Sequence, residues 1–174
     1  MSEHADNVAP CLFGGFILIR GYEPIDIIEI PVPESLYCTI IHPHIEINTK
    51  ESRRLLPKEI PLKTAITQWG NTAGLIAGLI KGDTALIGRS IKDVIAEPVR
   101  GAFIPNYYEI KDAALAAGAI GCNISGSGPS IFAISATLAD AQNTAAAMKN
   151  AAGEAGKDCD LFISKMNAPG ARII

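Results

Sequence analysis

A glycine-rich turn between two short apolar segments constrains the fold of this chain more than any other feature. Residues 118–134 read GAIGCNISGSGPSIFAI, and the turn separates the apolar runs 119–124 and 131–134. Short apolar runs bounded by glycine and proline are typical of buried strands, so this segment predicts two strands joined by a tight turn. The turn consists of Gly126, Ser127, Gly128, Pro129 and Ser130.

The small residues of this turn leave its backbone N–H groups uncovered by side chains. Such a backbone approaches a phosphate, a carboxylate or another loop more closely than a bulkier one does. The alternative interpretation is a plain tight hairpin, because isolated Gly-Ser-Gly segments are common in turns.

Length and composition exclude several classes of protein. The chain has 174 residues, of which 48% are hydrophobic, and a net charge of −3. This suits one domain with a substantial core, and the absence of a basic surplus argues against nucleic-acid binding. No apolar run reaches membrane-spanning length, and the polar start MSEHADNVAP differs from a signal peptide. We therefore expect a cytoplasmic protein with no nucleic-acid or membrane partner.

The four cysteines are widely separated and form no C-x-x-C pair, which argues against a zinc ribbon or a dithiol redox site. No metal site is predicted, and reduced, mostly buried thiols are expected at Cys11, Cys38, Cys122 and Cys159.

The first 35 residues have an unusual pattern for the start of a domain. They predict a helix over 5–13, limited by Pro10, and an Ile-rich hairpin with strands at 15–20 and 25–32. A two-stranded hairpin is marginally stable by itself, so we expect it to need a further sheet.

From Leu36 onwards the pattern is more regular. Pro61 opens a helix whose apolar residues recur every three or four positions, in one stripe formed by Leu62, Ile66, Trp69, Ala73, Ile76 and Ile80. Gly82 ends that helix, and Asp83 caps another that runs to about residue 96. The other predicted elements are a strand over 36–42, a short helix over 48–56, a helix over 105–117, strands over 119–125 and 130–136, a helix over 138–151, a strand over 159–166 and a possible edge strand over 171–174.

This order is β-α-β-β-α-β with extra helices in the first crossover. It predicts an α+β fold, a two-layer ferredoxin-like antiparallel sheet with helices on one face. Regulatory modules, RNA-binding domains and enzyme lobes share that architecture, so it does not decide the function. The RNA-binding class is disfavoured because the two central strands carry a single aromatic residue, Phe132.

Three polar segments accompany the glycine turn as candidate sites. Near the start, His4, Asp6 and Asn7 form either a polar pocket or a solvated terminus. In the segment TKESRR, Thr49 and Arg53 are four residues apart and share one helical face, where a guanidinium can bind a carboxylate. The alternative there is a charged, exposed first turn.

The third segment, DVIAEPVR, covers residues 93–100. Pro98 is expected to end the helix at Glu97, which leaves Arg100 on a loop. A structural ion pair of Arg100 with Glu97 or Asp93 is the alternative to a binding role.

Other catalytic motifs are missing from the sequence. It contains no G-x-x-x-x-G-K-[ST] segment, no G-x-G-x-x-G between a strand and a helix, and no G-x-S-x-G elbow. The glycine turn is followed by a strand, so it lacks the helix dipole of a complete phosphate site.

Taken together, the four segments resemble the homoserine kinases of the GHMP family of small-molecule kinases. HADNVAP at 4–10, NTKESRRLLP at 48–57, DVIAEPVR at 93–100 and ISGSGPS at 124–130 follow the order and spacing of that group. The resemblance extends to GARII at the C-terminus, so it covers nearly the whole chain.

The resemblance implies ATP-dependent phosphorylation of L-homoserine to O-phospho-L-homoserine, a step towards threonine, with Mg²⁺. It implies that Arg53 and Arg100 hold the carboxylate, and that His4, Asp6 and Asn7 contact the amino and hydroxyl ends. Thr49 would lie near the reacting hydroxyl as the candidate catalytic residue, and the turn over 126–130 would shape the active site.

The chain departs from this group in one respect: the P-x-x-x-G-L-G-S-S-A type loop that holds ATP does not occur. In the family that loop belongs to an N-terminal portion. The resemblance therefore implies that residues 1–35 are a remnant of the N-terminal domain, that residues 36–174 form the C-terminal domain, and that the missing N-terminal domain supplies a sheet for the hairpin. On this interpretation the chain alone binds ATP poorly and is inactive.

Two other hypotheses stay open at this point. One is a non-catalytic amino-acid-binding or regulatory α+β domain that uses Arg53 and Arg100 without ATP. The other is a structural or dimerising domain, since apolar faces of the hairpin favour self-association into a homodimer.

Overall fold

The computed structural model describes residues 5–47, 52, 54–154, 156 and 158–173. In chain order its elements are α1 (Ala5–Phe13), β1 (Phe16–Tyr22), β2 (Ile25–Ile30), β3 (Tyr37–Pro43), α2 (Leu62–Lys81), α3 (Thr84–Ser90), α4 (Glu97–Arg100), a 3₁₀ turn (Gly101–Phe103), α5 (Tyr107–Ala116), β4 (Gly121–Ile124), β5 (Ile131–Ser135), α6 (Leu138–Glu154) and β6 (Cys159–Lys165).

The last four strands form one antiparallel sheet with the order β4-β5-β3-β6. In order along the chain this is the 2-3-1-4 arrangement of a β-α-β-β-α-β unit. The predicted α+β, ferredoxin-like fold is therefore confirmed. The glycine turn joins β4 to β5 at one end of this sheet.

Helices α5 and α6 cover one face of the sheet. Strand residues whose side chains point to that face, such as Ile41, Ile131 and Ala133, are fully buried beneath Met148 of α6. Thr39 on the same face is also buried, and its hydroxyl donates to the carbonyl oxygen of Ala141 at 3.2 Å. The alternation of buried side chains along β3 and β5 fixes their register.

A second, smaller core forms where α2, α3 and the hairpin meet the opposite face of β5. Its buried residues include Ile134 of β5, Leu79 of α2 and Ile87 of α3, together with Ile30 of β2. The hairpin β1-β2 is a separate two-stranded sheet, and it is held to the rest of the molecule through this core.

The apolar stripe predicted for α2 is not the face that this helix buries. Leu62, Ile66, Trp69 and Ile80 are exposed, Trp69 by 63%. The helix instead turns its small residues towards α3, because Gly74 lies against Ser90 and Gly78 against Ile87. Close packing of two helices at glycine positions has displaced the larger side chains to the surface.

Most predicted helix ends are confirmed at residue level. Gly82 ends α2 in the left-handed conformation with φ of 67°, and Asp83 caps α3 by accepting a hydrogen bond from the Leu86 N–H. Thr137 caps α6 by accepting from the Asp140 N–H at 3.1 Å.

The extent of α3 differs from the prediction, because it ends at Ser90 and not near residue 96. The side chain of Asp93 accepts hydrogen bonds from the N–H groups of Ile95 and Ala96, both at 2.8 Å. These bonds favour a turn over continued helix.

The C-terminal residues contact the start of the chain, and in the described part, up to residue 173, they form no edge strand. Gly14 forms an isolated bridge with Pro169, and the N–H of Ala171 donates to the carbonyl oxygen of Cys11 at 3.0 Å. The helices of the described ranges are all too short or too polar to cross a bilayer.

Candidate functional site

Arg100 lies at the end of α4, where it contacts the glycine turn. Its Nη1 donates a hydrogen bond to the carbonyl oxygen of Gly126 at 2.7 Å. Two of the segments singled out in the sequence, 26 residues apart, are therefore in direct contact. The prediction that Arg100 lies on a loop is wrong, since Pro98 sits in the first turn of a short helix. Proline is tolerated there because the N–H that it lacks has no helical partner.

One edge of the Arg100 guanidinium makes no hydrogen bond with the described residues. Its Nε is buried and has no hydrogen-bond partner among them. Nε and Nη2 lie on the same edge of the planar group, which is the edge that binds a carboxylate with two parallel hydrogen bonds. The carbonyl oxygen of Gly126 accepts from the third nitrogen, Nη1. It therefore orients the guanidinium without using the Nε–Nη2 edge.

The glycine turn is stabilised mainly by its own backbone. The Ser125 N–H donates to the carbonyl oxygen of Ser130 at 2.8 Å, and the Gly128 N–H donates to that of Ser125 at 3.0 Å. Gly126 and Gly128 have φ values of 60° and 80°, which favour glycine. The side chain of Ser130 is held by Nδ1 of His42 at 2.8 Å.

The turn is close-packed at Gly128. A Cβ placed there would lie 3.0 Å from Ile104 Cδ1 and 3.5 Å from side-chain atoms of Ile47 and Ile124. At Gly126, by contrast, a Cβ would meet no atom within 4 Å. Gly128 therefore faces the protein interior, and Gly126 faces open space beside Arg100.

A buried polar cluster lies behind Arg100. Glu97 forms an ion pair with Lys111 of α5, and the two side chains are 9% and 18% exposed. Tyr107, fully buried, donates to Oδ1 of Asn123 on β4 at 3.4 Å. Burial, together with the charge of Glu97, raises the pKa of Tyr107 above its usual range. The alternative interpretation, an ion pair of Arg100 with Glu97 or Asp93, is not present among the described contacts, and Glu97 binds Lys111 instead.

This cluster borders a cleft of about 330 Å³ between α3, α4, α5 and β4. Cys122 contributes to its wall, and burial raises the pKa of that thiol to about 12. The cleft is lined by both acidic and basic side chains, notably Asp93, Glu97 and Lys111. Among the described residues no group of three or more His, Cys, Asp or Glu side chains has the arrangement of a metal site.

Asp6 and Asn7 lie in the first turns of α1 and are exposed. Within the described part of the chain no hydrogen bond or ion pair joins either of them to Arg100. The other end of α1 contacts the C-terminal residues. The Ala171 N–H donates to the carbonyl oxygen of Cys11, and Gly14 forms an isolated bridge with Pro169.

The remaining candidate residues, His4, Thr49 and Arg53, lie outside the described residues. The structure thus brings together Arg100 and the glycine turn, while the predicted pairing of Arg53 with Arg100 stays a prediction. Sequence reasoning missed Lys111, Tyr107 and Asn123. Tyr107 and Lys111 are four residues apart on the long helix that follows Glu97 and Pro98, and this spacing was the signal for them in the sequence.

The thiols show no disulfide, since all four cysteines are free. Only Cys122 is buried, whereas Cys38 and Cys159 are half-buried and Cys11 is exposed, so the expectation of mostly buried thiols is wrong.

Comparisons with known proteins give the same picture of the fold. Residues 75–155 match the family model described as GHMP kinases C terminal. A homoserine kinase from Chlorobium phaeobacteroides is 53% identical over 99% of this chain. A homoserine kinase from Arabidopsis thaliana is 42% identical over 75% of it.

Solved structures agree with these sequence matches. The crystal structure of a homoserine kinase from Cytophaga hutchinsonii superposes on 99% of this chain with a TM-score of 0.96 and 53% identity. A mevalonate kinase from L. major has the same fold, with a TM-score of 0.74 at 17% identity. The chain spans 55% of the length of the Chlorobium relative and 55% of the Cytophaga chain.

Proposed function

Because this chain is homologous to homoserine kinases and has the fold of the GHMP kinase C-terminal domain, we propose that the protein to which it belongs phosphorylates L-homoserine. The reaction uses ATP and gives O-phospho-L-homoserine, on the way to threonine. The observation that carries this proposal is the hydrogen bond from Arg100 to Gly126, which joins two of the segments that resemble the family.

In this proposal Arg100 binds the carboxylate of homoserine. The Nε–Nη2 edge of its guanidinium has no acceptor among the described residues, and a buried donor without an acceptor is costly. A substrate carboxylate would supply that acceptor. Arg53 is proposed as the second cation on the same carboxylate, which fixes the orientation of the amino acid.

The proposed roles of the other residues follow the family resemblance. His4, Asp6 and Asn7 contact the amino and hydroxyl ends of homoserine, and Thr49 lies near the reacting hydroxyl. The glycine turn shapes the pocket beside Arg100. Phosphoryl transfer depends mainly on positioning and on neutralising charge, so the chief contribution of these side chains is to aim the hydroxyl.

The residues of this chain do not by themselves fit ATP or Mg²⁺. Two N–H groups of the glycine turn already bond within it, those of Ser125 and Gly128, and a strand rather than a helix follows the turn. No acidic cluster suited to a metal occurs among the described residues. We propose that the nucleotide site lies in an N-terminal portion of the intact protein and that this chain alone transfers no phosphate.

Residues 36–174 are proposed to form the C-terminal domain, and residues 1–35 a remnant of the N-terminal domain. The N-terminal portion of the intact protein is then the proposed partner of residues 1–35. The hairpin forms a two-stranded sheet of its own with exposed apolar residues such as Ile25 and Ile28, a surface that a further sheet would cover. A homodimer is the alternative occupant of the same surface. A cytoplasmic location is proposed because free thiols are typical of reducing compartments.

The test is an ADP-release assay on the full-length protein with L-homoserine, L-serine, L-threonine and mevalonate as substrates. We expect turnover with homoserine and little with the others. Arg100→Ala should raise the homoserine KM, with a loss of about 2–4 kcal/mol in kcat/KM, because it removes a desolvated partner of the carboxylate.

The matched control is Arg89→Ala, which removes the same side chain from an exposed position on α3. It should leave the homoserine KM unchanged. Homoserine-independent ADP release, or equal effects of the two substitutions, would contradict the proposal. Binding of homoserine without any turnover in the full-length protein would favour a non-catalytic amino-acid-binding domain.

A further inference from the structure

The helix that carries Arg100 is too short to hold its own orientation. Helix α4 has four residues, and the N–H groups of Val99 and Arg100 donate to the same carbonyl oxygen, that of Ala96. Isolated helices of this length are not stable in water, so tertiary contacts must fix α4. The contacts available to it are therefore the ones that determine where Arg100 points.

One of those contacts is the ion pair between Glu97 and Lys111. Glu97 is the first residue of α4, and its carboxylate is almost completely buried against the ammonium group of Lys111 on α5. Helix α5 packs firmly in the main core, where Ile110 and Ala114 are fully buried. Removing one partner of a buried ion pair is strongly destabilising, because it leaves the other charge buried without compensation.

The same cluster also reaches the strand that leads into the glycine turn. Tyr107 lies one helical turn before Lys111, and the ammonium group of Lys111 lies 5.9 Å from the centre of its ring. The hydroxyl of Tyr107 donates to Asn123, two residues before Ser125 at the start of the turn. The Tyr107 ring also packs against Gly101, where a Cβ would lie 2.8 Å from it. Tyr107 thus contacts both the end of α4 and the strand before the turn.

We propose that Glu97, through its buried ion pair with Lys111, is a positioning residue that fixes Arg100 against Gly126 in the orientation that binds the substrate carboxylate. The proposal rests on the proposed function for the identity of that carboxylate. It assigns to Glu97 and Lys111 no contact with the substrate. They act through Arg100, by holding α4 at a fixed distance from the turn.

The test uses Glu97→Gln in the full-length protein, which keeps the shape of the side chain and removes its charge. We expect the homoserine KM to rise about 10- to 100-fold, as for a misplaced positioning group, while the ATP KM changes less than about twofold. In an Arg100→Ala background the same substitution should have almost no further effect, because residues that act through one another are not additive.

Two controls separate positioning from general damage. Glu109→Gln makes the same chemical change at an exposed position of α5 and should leave both KM values unchanged. If Glu97→Gln does not fold, the neutral pair Glu97→Gln with Lys111→Gln removes both charges together and carries the same expectation.

An unchanged homoserine KM in Glu97→Gln would overturn the proposal. An equal rise of the homoserine KM on adding Glu97→Gln to the unsubstituted protein and to Arg100→Ala would overturn it as well. Hydrogen exchange of the Val99 and Arg100 amides gives a readout that needs no substrate, and it should be faster in Glu97→Gln than in Glu109→Gln. If the unsubstituted protein does not turn over homoserine, the proposed function fails. The exchange rates would still decide whether Glu97 fixes α4.

Discussion

At the scale of single residues, Gly128 is the most sensitive position of the glycine turn. Its φ of 80° and the 3.0 Å approach to Ile104 mean that a side chain would be both strained and crowded. A left-handed conformation costs an L residue roughly 1–2 kcal/mol before any clash is counted. Gly126 has a similar φ but open space around it, so the two glycines separate conformational strain from crowding.

We predict that Gly128→Val lowers the free energy of unfolding by more than about 2 kcal/mol, measured by urea denaturation. Gly126→Ala should cost only the conformational part, about 1 kcal/mol. Gly153→Ala is the control, because this exposed glycine lies in α6 and a Cβ there meets nothing within 4 Å. A Gly128→Val protein as stable as the Gly153→Ala protein would show that the turn tolerates a side chain.

The sequence predicted single residues well where one local interaction decides the outcome. Gly82 and Asp83 were both placed correctly at helix ends, because capping depends on residues only a few positions apart. Lys111 was not identified, since its partner Glu97 is 14 residues away and nothing local marks the pair.

At the scale of elements, the C-terminal tail supports the end of α1. Gly14 and Gly170 lie so close to the opposite backbone that a Cβ on either would come within 2.4 Å of a main-chain atom. The Ala171 N–H bonds to Cys11, the last turn of the helix that carries Asp6 and Asn7. A substitution in the tail should therefore change the local stability of α1.

We predict that Gly170→Ala accelerates hydrogen exchange of the α1 amides without changing exchange in α6. The reason is that the added methyl group would clash with the carbonyl oxygen of Leu12, which is backbone and cannot rotate away. Gly70→Ala is the control, because this exposed glycine lies in α2, has no positive φ, and a Cβ there meets nothing within 4 Å. Equal exchange of α1 in the two variants would contradict a supporting role for the tail.

Most elements were predicted correctly in type and order, but the end of α3, the existence of α4 and the exposed face of α2 were not. The strands of the main sheet could be read because each is a short apolar run between turn residues. Helix α4 could not, since Pro98 is compatible both with the end of a helix and with the first turn of one, and no side-chain cap marks the start of α4. The exposed face of α2 follows from close packing of Gly74 and Gly78 on α3, which depends on a neighbour that the periodicity of α2 does not reveal.

At the scale of the whole molecule, two cores share the central sheet and place the candidate site at its edge. The main core fixes α5 and α6, and the second core fixes α2, α3 and the hairpin. The glycine turn and Arg100 lie where β4 and β5 meet α4, outside both cores. The candidate site is thus built from loop and short-helix residues on a rigid sheet, a common arrangement for binding sites.

The candidate site could be predicted from the sequence only through the family resemblance. Arg100 and Gly126 are 26 residues apart, and neither composition nor periodicity brings them together. The resemblance named both segments, and the structure shows them in contact. Glu97 also lies in one of these segments, but the resemblance did not provide its neighbours Lys111 and Tyr107, because they lie outside the quoted segments.

The central claim is that Arg100 binds the carboxylate of homoserine, and one measurement tests it most directly. Binding of L-homoserine and of its amide, which lacks the negative charge, is compared by calorimetry in the full-length protein and in Arg100→Ala. We predict that Arg100→Ala weakens homoserine at least about 30-fold and the amide less than about threefold, so that the preference for the acid is lost. Equal losses for both ligands, or an intact preference for the acid in the absence of Arg100, would contradict the account.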